Sequence, residues 1–163
     1  MREFARFAVL SLSFLALPLF GADLRPMKEP AKIATVFPKT AKLRVINVWA
    51  TWCGPCVAEM PDLRAIDQLF GEEVVIAGVS LDDMIPDAKQ TAVAAFLDKN
   101  KIAFPNVYYT GNADALGDYL NISGEMPVTI VFDAAGKELW RHQGKIDRDK
   151  TIAQLRELLR RTR

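Results

Sequence analysis

Two apolar runs, "LRVINVWA" from Leu43 and "EEVVIAGVSL" over 72–81, most constrain what this chain can fold into. Each is apolar almost throughout, the pattern of a strand covered on both faces within a parallel arrangement. Between them Val57, Met60, Leu63, Ile66 and Leu69 recur at three-residue steps over 54–69, a helical stripe. The product is a β-α-β unit, and such a crossover is right-handed.

Further along, Val93, Phe96 and Leu97 predict a helix at about 87–100, and "FPNVYYT" and "NADALGDYL" predict a short strand and a short helix. "PVTIVF", the turn "DAAG" and "KELWRH" read as a β-hairpin. The last helix begins near Asp147 or Asp149, with Ile152, Leu155, Leu158 and Leu159 on its apolar side. The expectation is an α/β fold: a central mixed sheet flanked by helices, with a short insertion before the C-terminal hairpin and helix. At 163 residues and 50% apolar composition, one such domain is what the chain can build.

Residues 1–22 stand apart. Arg2 and Arg6 precede "FAVLSLSFLALPLF", and Gly21-Ala22 follow, the layout of a secretory signal. The run falls short of the roughly 20 residues that span a bilayer. The bulky Leu19 and Phe20 beside the cleavage position keep an uncleaved anchor as the alternative. Residues 23–42 read as a linker or short irregular cap, with order beginning near Leu43, and 43–163 as the domain. Export places the cysteines in an envelope compartment where disulfides form.

Losing Arg2, Arg6 and Glu3 from 21 basic and 20 acidic residues leaves 19 of each. A neutral body with no basic block argues against nucleic acid as a partner. It is also too short for a separate dimerisation domain, so a monomer is expected.

The only cysteines, Cys53 and Cys56, lie in "NVWATWCGPCVAEMP" at the junction of strand and helix. As a structural disulfide the pair would close too small a loop to remove much unfolded-state entropy. A structural zinc site needs four ligands, and beside the pair there is only His142, expected to be an ordinary strand residue. Two thiolates could carry copper(I), so a copper- or peptide-binding module without catalysis is one alternative. The redox reading explains more. Cys53 would face the unpaired N–H groups of a helix N-terminus, which favour the thiolate. Cys56, one turn on, could attack a mixed disulfide at Cys53 and release the product. Pro55 suits a first helical turn.

"WCGPC" resembles the signature of the thioredoxin superfamily. The wider "VINVWATWCGPCVAEMP" is similar to its exported branch, the TlpA/ResA-type thiol:disulfide oxidoreductases, which include the cytochrome c maturation reductases. The resemblance covers about residues 43–160 and implies a thioredoxin fold without a cofactor. Pro61 matches the family's helix proline. "GEMPVTIVFDAAGKELWRHQGK" matches the segment with its cis-proline, so Pro127 is the expected cis residue. Met126 and Pro127 would then lie beside the cysteines and present backbone to a bound peptide, with Trp52, Gly54 and Pro55 completing the docking surface. Trp49, Phe104, Tyr108 and Tyr109 are expected in packing.

Asn47 stands where thioredoxin has a buried aspartate, and an amide cannot accept the proton of Cys56. Glu59, one turn beyond Cys56, is the expected general base; the alternative is a solvated helix residue. Gly54-Pro55 is the dipeptide of thioredoxin and implies a reductant, with a thiol oxidase or isomerase as the alternative. The resemblance further implies a membrane thiol carrier as electron donor and oxidised cysteine pairs of exported proteins, such as apocytochrome c, as acceptors. The lead-in is shorter than the family's usual version.

Overall fold

A computed structural model describes residues 21–162; the signal-like stretch of residues 1–20 lies outside the described residues. The two apolar runs become β2 (Leu43–Trp49) and β3 (Val74–Ser80), paired in parallel from Leu43 opposite Val74 to Trp49 opposite Ser80. Helix α1 (Gly54–Phe70) crosses between them. Helix α2 (Gln90–Lys99), β4 (Asn106–Tyr109) and α3 (Ala113–Leu120) follow, then the hairpin β5 (Val128–Asp133) and β6 (Glu138–Gln143), and last α4 (Arg148–Arg161). This is the expected α/β architecture, with β4 and α3 inserted before the hairpin.

One sheet results. Its order is β1-β4-β3-β2-β5-β6, with β1 (Leu24–Met27) at the edge. Strands β1 to β4 run parallel, and β5 and β6 run antiparallel to their neighbours. One face packs Leu43, Val45 and Trp49 against Met60, Leu63 and Ile66 of α1 and Leu155 and Leu158 of α4. The other packs Ile46, Val48 and Ile130 against Leu116 and Leu120 of α3 and a 3-10 helix, Pro30–Val36.

Order thus begins well before Leu43. Asp23 and Met27 accept hydrogen bonds from the N–H groups of Asn106 and Thr110, adding β1 to the free edge of β4. A four-residue strand containing Pro26 carries almost no periodic signal, and proline is tolerated there because the strand is an edge. Helix α2 starts later than expected because Asp87 takes a positive φ of 62°, which an α-helix excludes. The stripe on α1 holds only in its middle: Leu69 is exposed. Three-residue steps fall about 60° short of a full turn each time, so the ends of such a stripe rotate off the buried face.

Trp49, fully buried, lies with its ring centroid 5.4 Å from that of Phe96 and donates its Nε1–H to Asn106 Oδ1 at 3.1 Å. Gly78 makes room for this pair, since a Cβ there would sit 2.0 Å from Asn106 Oδ1. Phe104, Tyr108 and Tyr109 are buried, as expected. The packing fixes Trp49, and with it the point where β2 hands over to the cysteine loop.

Candidate active site

Cys53 is the N-cap of α1: its backbone is extended, and its Sγ accepts the N–H of Cys56 at 3.3 Å. The carbonyls of Ala50 and Cys53 bond the N–H groups of Cys53 and Val57, closing the loop onto the first helical turn. Pro55 occupies that turn, where an N–H is not needed. The two cysteines are joined in a disulfide. Their surroundings differ: Cys53 retains 8% exposure and Cys56 none. An incoming sulfur therefore reaches Cys53 first. A thiolate released at Cys53 would sit at the positive end of the α1 dipole beside the Cys56 N–H, both of which stabilise its negative charge.

Glu59 lies on the same buried side of α1 and has no exposed surface. Burial pushes its carboxyl above the ordinary glutamate range. Several groups pull the other way. The Ile146 N–H donates to Oε2 at 2.9 Å, Asn47 Nδ2 donates to Oε1 at 2.8 Å, and the positive charges of His142 and Lys145 act from further off. Asn47 Nδ2 also donates to Thr129 Oγ1 at 3.2 Å, while its Oδ1 has no partner among the described residues. Asn47 thus holds the Glu59 carboxyl in place. A buried carboxyl of raised pKa, one turn from Cys56, is placed to move a proton at that end of the helix.

The peptide Met126–Pro127 is cis. Pro127 is buried, its carbonyl accepts the Gly144 N–H at 2.8 Å, and Met126 packs against the cluster that holds both cysteines. Trp52 is 47% exposed, and Gly54 and Pro55 are exposed as well, so three residues form an open rim around Cys53. Trp52 and Met126 also border a groove of about 550 Å³ whose other walls include Leu81, Met84, Leu116 and Asp118. All eight residues singled out from the sequence thus gather at one end of the sheet, divided between a buried side and an open one.

The sequence reading missed Asp82. This buried carboxylate accepts the Thr51 N–H at 3.1 Å, the Thr51 hydroxyl, and the Ser80 hydroxyl at 2.7 Å. It ties the residue before Trp52 to the end of β3. The contact follows from the register, which the sequence does not display: with Trp49 opposite Ser80 in parallel strands, residues two further on are neighbours. His142 remains an ordinary strand residue, stacked on Trp140 with ring centroids 5.8 Å apart.

Several known proteins similar to this chain are named for thiol–disulfide exchange. HelX, a thiol:disulfide interchange protein of Rhodobacter capsulatus, is 30% identical over 139 residues, covering 83% of this chain and 72% of its own. ResA, a thiol-disulfide oxidoreductase of Oceanobacillus iheyensis, is 32% identical over 115 residues, covering 70% and 56%. The chain spans about half (51%) of the length of a thioredoxin-like protein, YneN, of Bacillus subtilis and 75% of the thiol:disulfide interchange protein DsbE of Pseudomonas aeruginosa. Among solved structures, a thiol-disulfide isomerase of Corynebacterium glutamicum superposes with a TM-score of 0.65 at 22% identity, over 74% of this chain and 83% of that one, a likeness of fold. Fold, cysteine pair and relatives define the class: a thioredoxin-like thiol:disulfide oxidoreductase. The chain belongs to the Redoxin family, whose model matches residues 31–159.

Proposed function

We propose that this protein is an exported reductant of disulfides in envelope proteins. The observation that carries the reading is the asymmetry of the pair: Cys53 at the helix N-cap and reachable, Cys56 sealed behind it.

In the reduced enzyme, the Cys53 thiolate attacks one sulfur of a target disulfide. That S–S bond breaks, one target thiolate leaves, and a mixed disulfide forms at Cys53. Glu59 takes the proton of Cys56, whose thiolate attacks the Cys53 sulfur. The second target thiolate leaves, and the Cys53–Cys56 disulfide is formed. Two electrons pass to the target, which takes up protons to become a dithiol. A membrane thiol carrier recharges the pair, since no nicotinamide-dependent system is expected outside the cytosol. Trp52, Gly54 and Pro55, with the backbone of Met126 and Pro127, hold the target chain while its cysteine is in reach. Residues 1–22 direct export, whether cleaved or retained as an anchor. No described helix is long and apolar enough to cross a membrane. The resemblance to the cytochrome c maturation reductases makes oxidised apocytochrome c one acceptor of this kind, and the protein works as a monomer.

The test has two arms. A reduction potential near that of thioredoxin, about −270 mV, supports a reductant, whereas a value above about −150 mV would make it an oxidant. Cys56→Ser, which cannot resolve the mixed disulfide, should trap exported cysteine-pair proteins in cells. Recovery of none, with tight copper uptake by the native pair, would favour a binding module instead.

A further inference from the structure

Beneath the cysteines lies a buried amide of which only the donors are in use. Asn47 and Glu59 have no exposed surface, and Thr129 has almost none. The β2–β5 register sets Asn47 directly opposite Thr129, and α1 supplies Glu59. Asn47 Nδ2 donates to Glu59 Oε1 at 2.8 Å and to Thr129 Oγ1 at 3.2 Å, while Oδ1 is buried and has no hydrogen-bond partner among the described residues. Buried amides seldom leave their acceptor idle.

The carboxyl poses the complementary problem. Both groups that bond it, Asn47 Nδ2 and the Ile146 N–H, are donors. That suits a carboxylate, which only accepts. A proton taken from the Cys56 thiol turns one oxygen into an O–H donor, which then meets an N–H where it needs an acceptor. Burial pushes the carboxyl above the ordinary glutamate range, so the protonated form lies closer to neutral pH. The charged groups that face it are His142, paired with Thr129 in the sheet, and Lys145 just beyond β6; as cations, both favour the carboxylate.

We propose that Asn47 is a two-state positioning residue: its amide donates to Glu59 while the carboxyl is charged and turns over to accept from it once the carboxyl holds a proton. The movement needed is a half-turn about the Cβ–Cγ bond, a torsion that is broad and roughly two-fold for asparagine. It brings Oδ1 to where Nδ2 now stands, within reach of Glu59 Oε1 and Thr129 Oγ1. The Glu59 O–H and the Thr129 hydroxyl then donate to Oδ1, since a hydroxyl can donate as well as accept. Two hydrogen bonds persist with their direction reversed, and one amide atom is unpaired in either state. The idle Oδ1 is thus the acceptor held for the proton from Cys56. This role rests on Glu59 as the base of the Cys56 step.

The test uses the full oxidised protein, in which no thiol exchange takes place, and follows the Asn47 side-chain amide and the Glu59 carboxyl carbon by NMR across a pH titration. Both amide protons should move with the midpoint of Glu59, and their NOEs to Thr129 should weaken as the carboxyl takes up its proton. In Glu59→Gln the same signals should stay still, which separates Glu59 from His142 as the cause. In the reduced protein, Asn47→Leu should slow the resolution of a mixed disulfide by Cys56 about tenfold, while alkylation of Cys53 keeps its native rate. The proposal is overturned if the amide signals and NOEs hold constant through the Glu59 midpoint, or titrate equally in Glu59→Gln. Resolution at the native rate in Asn47→Leu would overturn it too. Native-rate resolution in Glu59→Gln would instead remove Glu59 as the base, and with it the catalytic part of the role, while leaving the turning of the amide to the NMR result.

Discussion

Glu59 shows what burial does to a single residue. Its carboxyl is raised above the ordinary glutamate range because its desolvation outweighs the two hydrogen bonds it accepts. The folded state therefore holds its proton to higher pH than the unfolded chain does. The stability this contributes is complete below the unfolded pKa and is lost as pH rises through the folded one. Urea midpoints of the oxidised protein should fall over that window, and Glu59→Gln should remove Glu59's part of the fall. In catalysis the same substitution should slow the Cys56 step by about a hundredfold at neutral pH and flatten its pH dependence, read by stopped-flow resolution of a mixed disulfide. Asp82 works by geometry. Asp82→Ala would leave the donors of Thr51 and Ser80 without their acceptor and should cost about 2 kcal/mol in denaturant unfolding.

Among the elements, β2 positions the site, and β2 was also the most legible. Its apolar run and the cysteines behind it marked strand, helix start and nucleophile together, because a doubly covered strand and a helix N-cap both write themselves in local sequence. What escaped was non-local. The bonds from Asn47 to Glu59 and Thr129 depend on which face of α1 meets β2 and β5, and β1 exists only because β4 offers an edge. Chain shortened to begin after Lys28 should expose the β4 edge, lower the thermal midpoint and associate in a concentration-dependent way by analytical ultracentrifugation. Gly78→Ala tests the β3–β4 contact: a Cβ 2.0 Å from Asn106 Oδ1 should destabilise by about 1–3 kcal/mol, read in urea.

Over the whole molecule, the reactive groups gather at one end of the sheet. Its carboxyl end gathers the loops after β2 and β3, the insertion helix α3 and the cis-proline loop around one disulfide. At the other end Arg44, partly exposed, borders a separate groove. The function rests on the first: a reachable sulfur at a helix N-terminus with a sealed partner behind it. Timed alkylation of the reduced protein at pH 7, with each cysteine quantified by mass spectrometry, measures this directly. Cys53 should be modified at least about tenfold faster than Cys56, with a pH midpoint below that of a free thiol. Equal, slow modification of both would contradict the account.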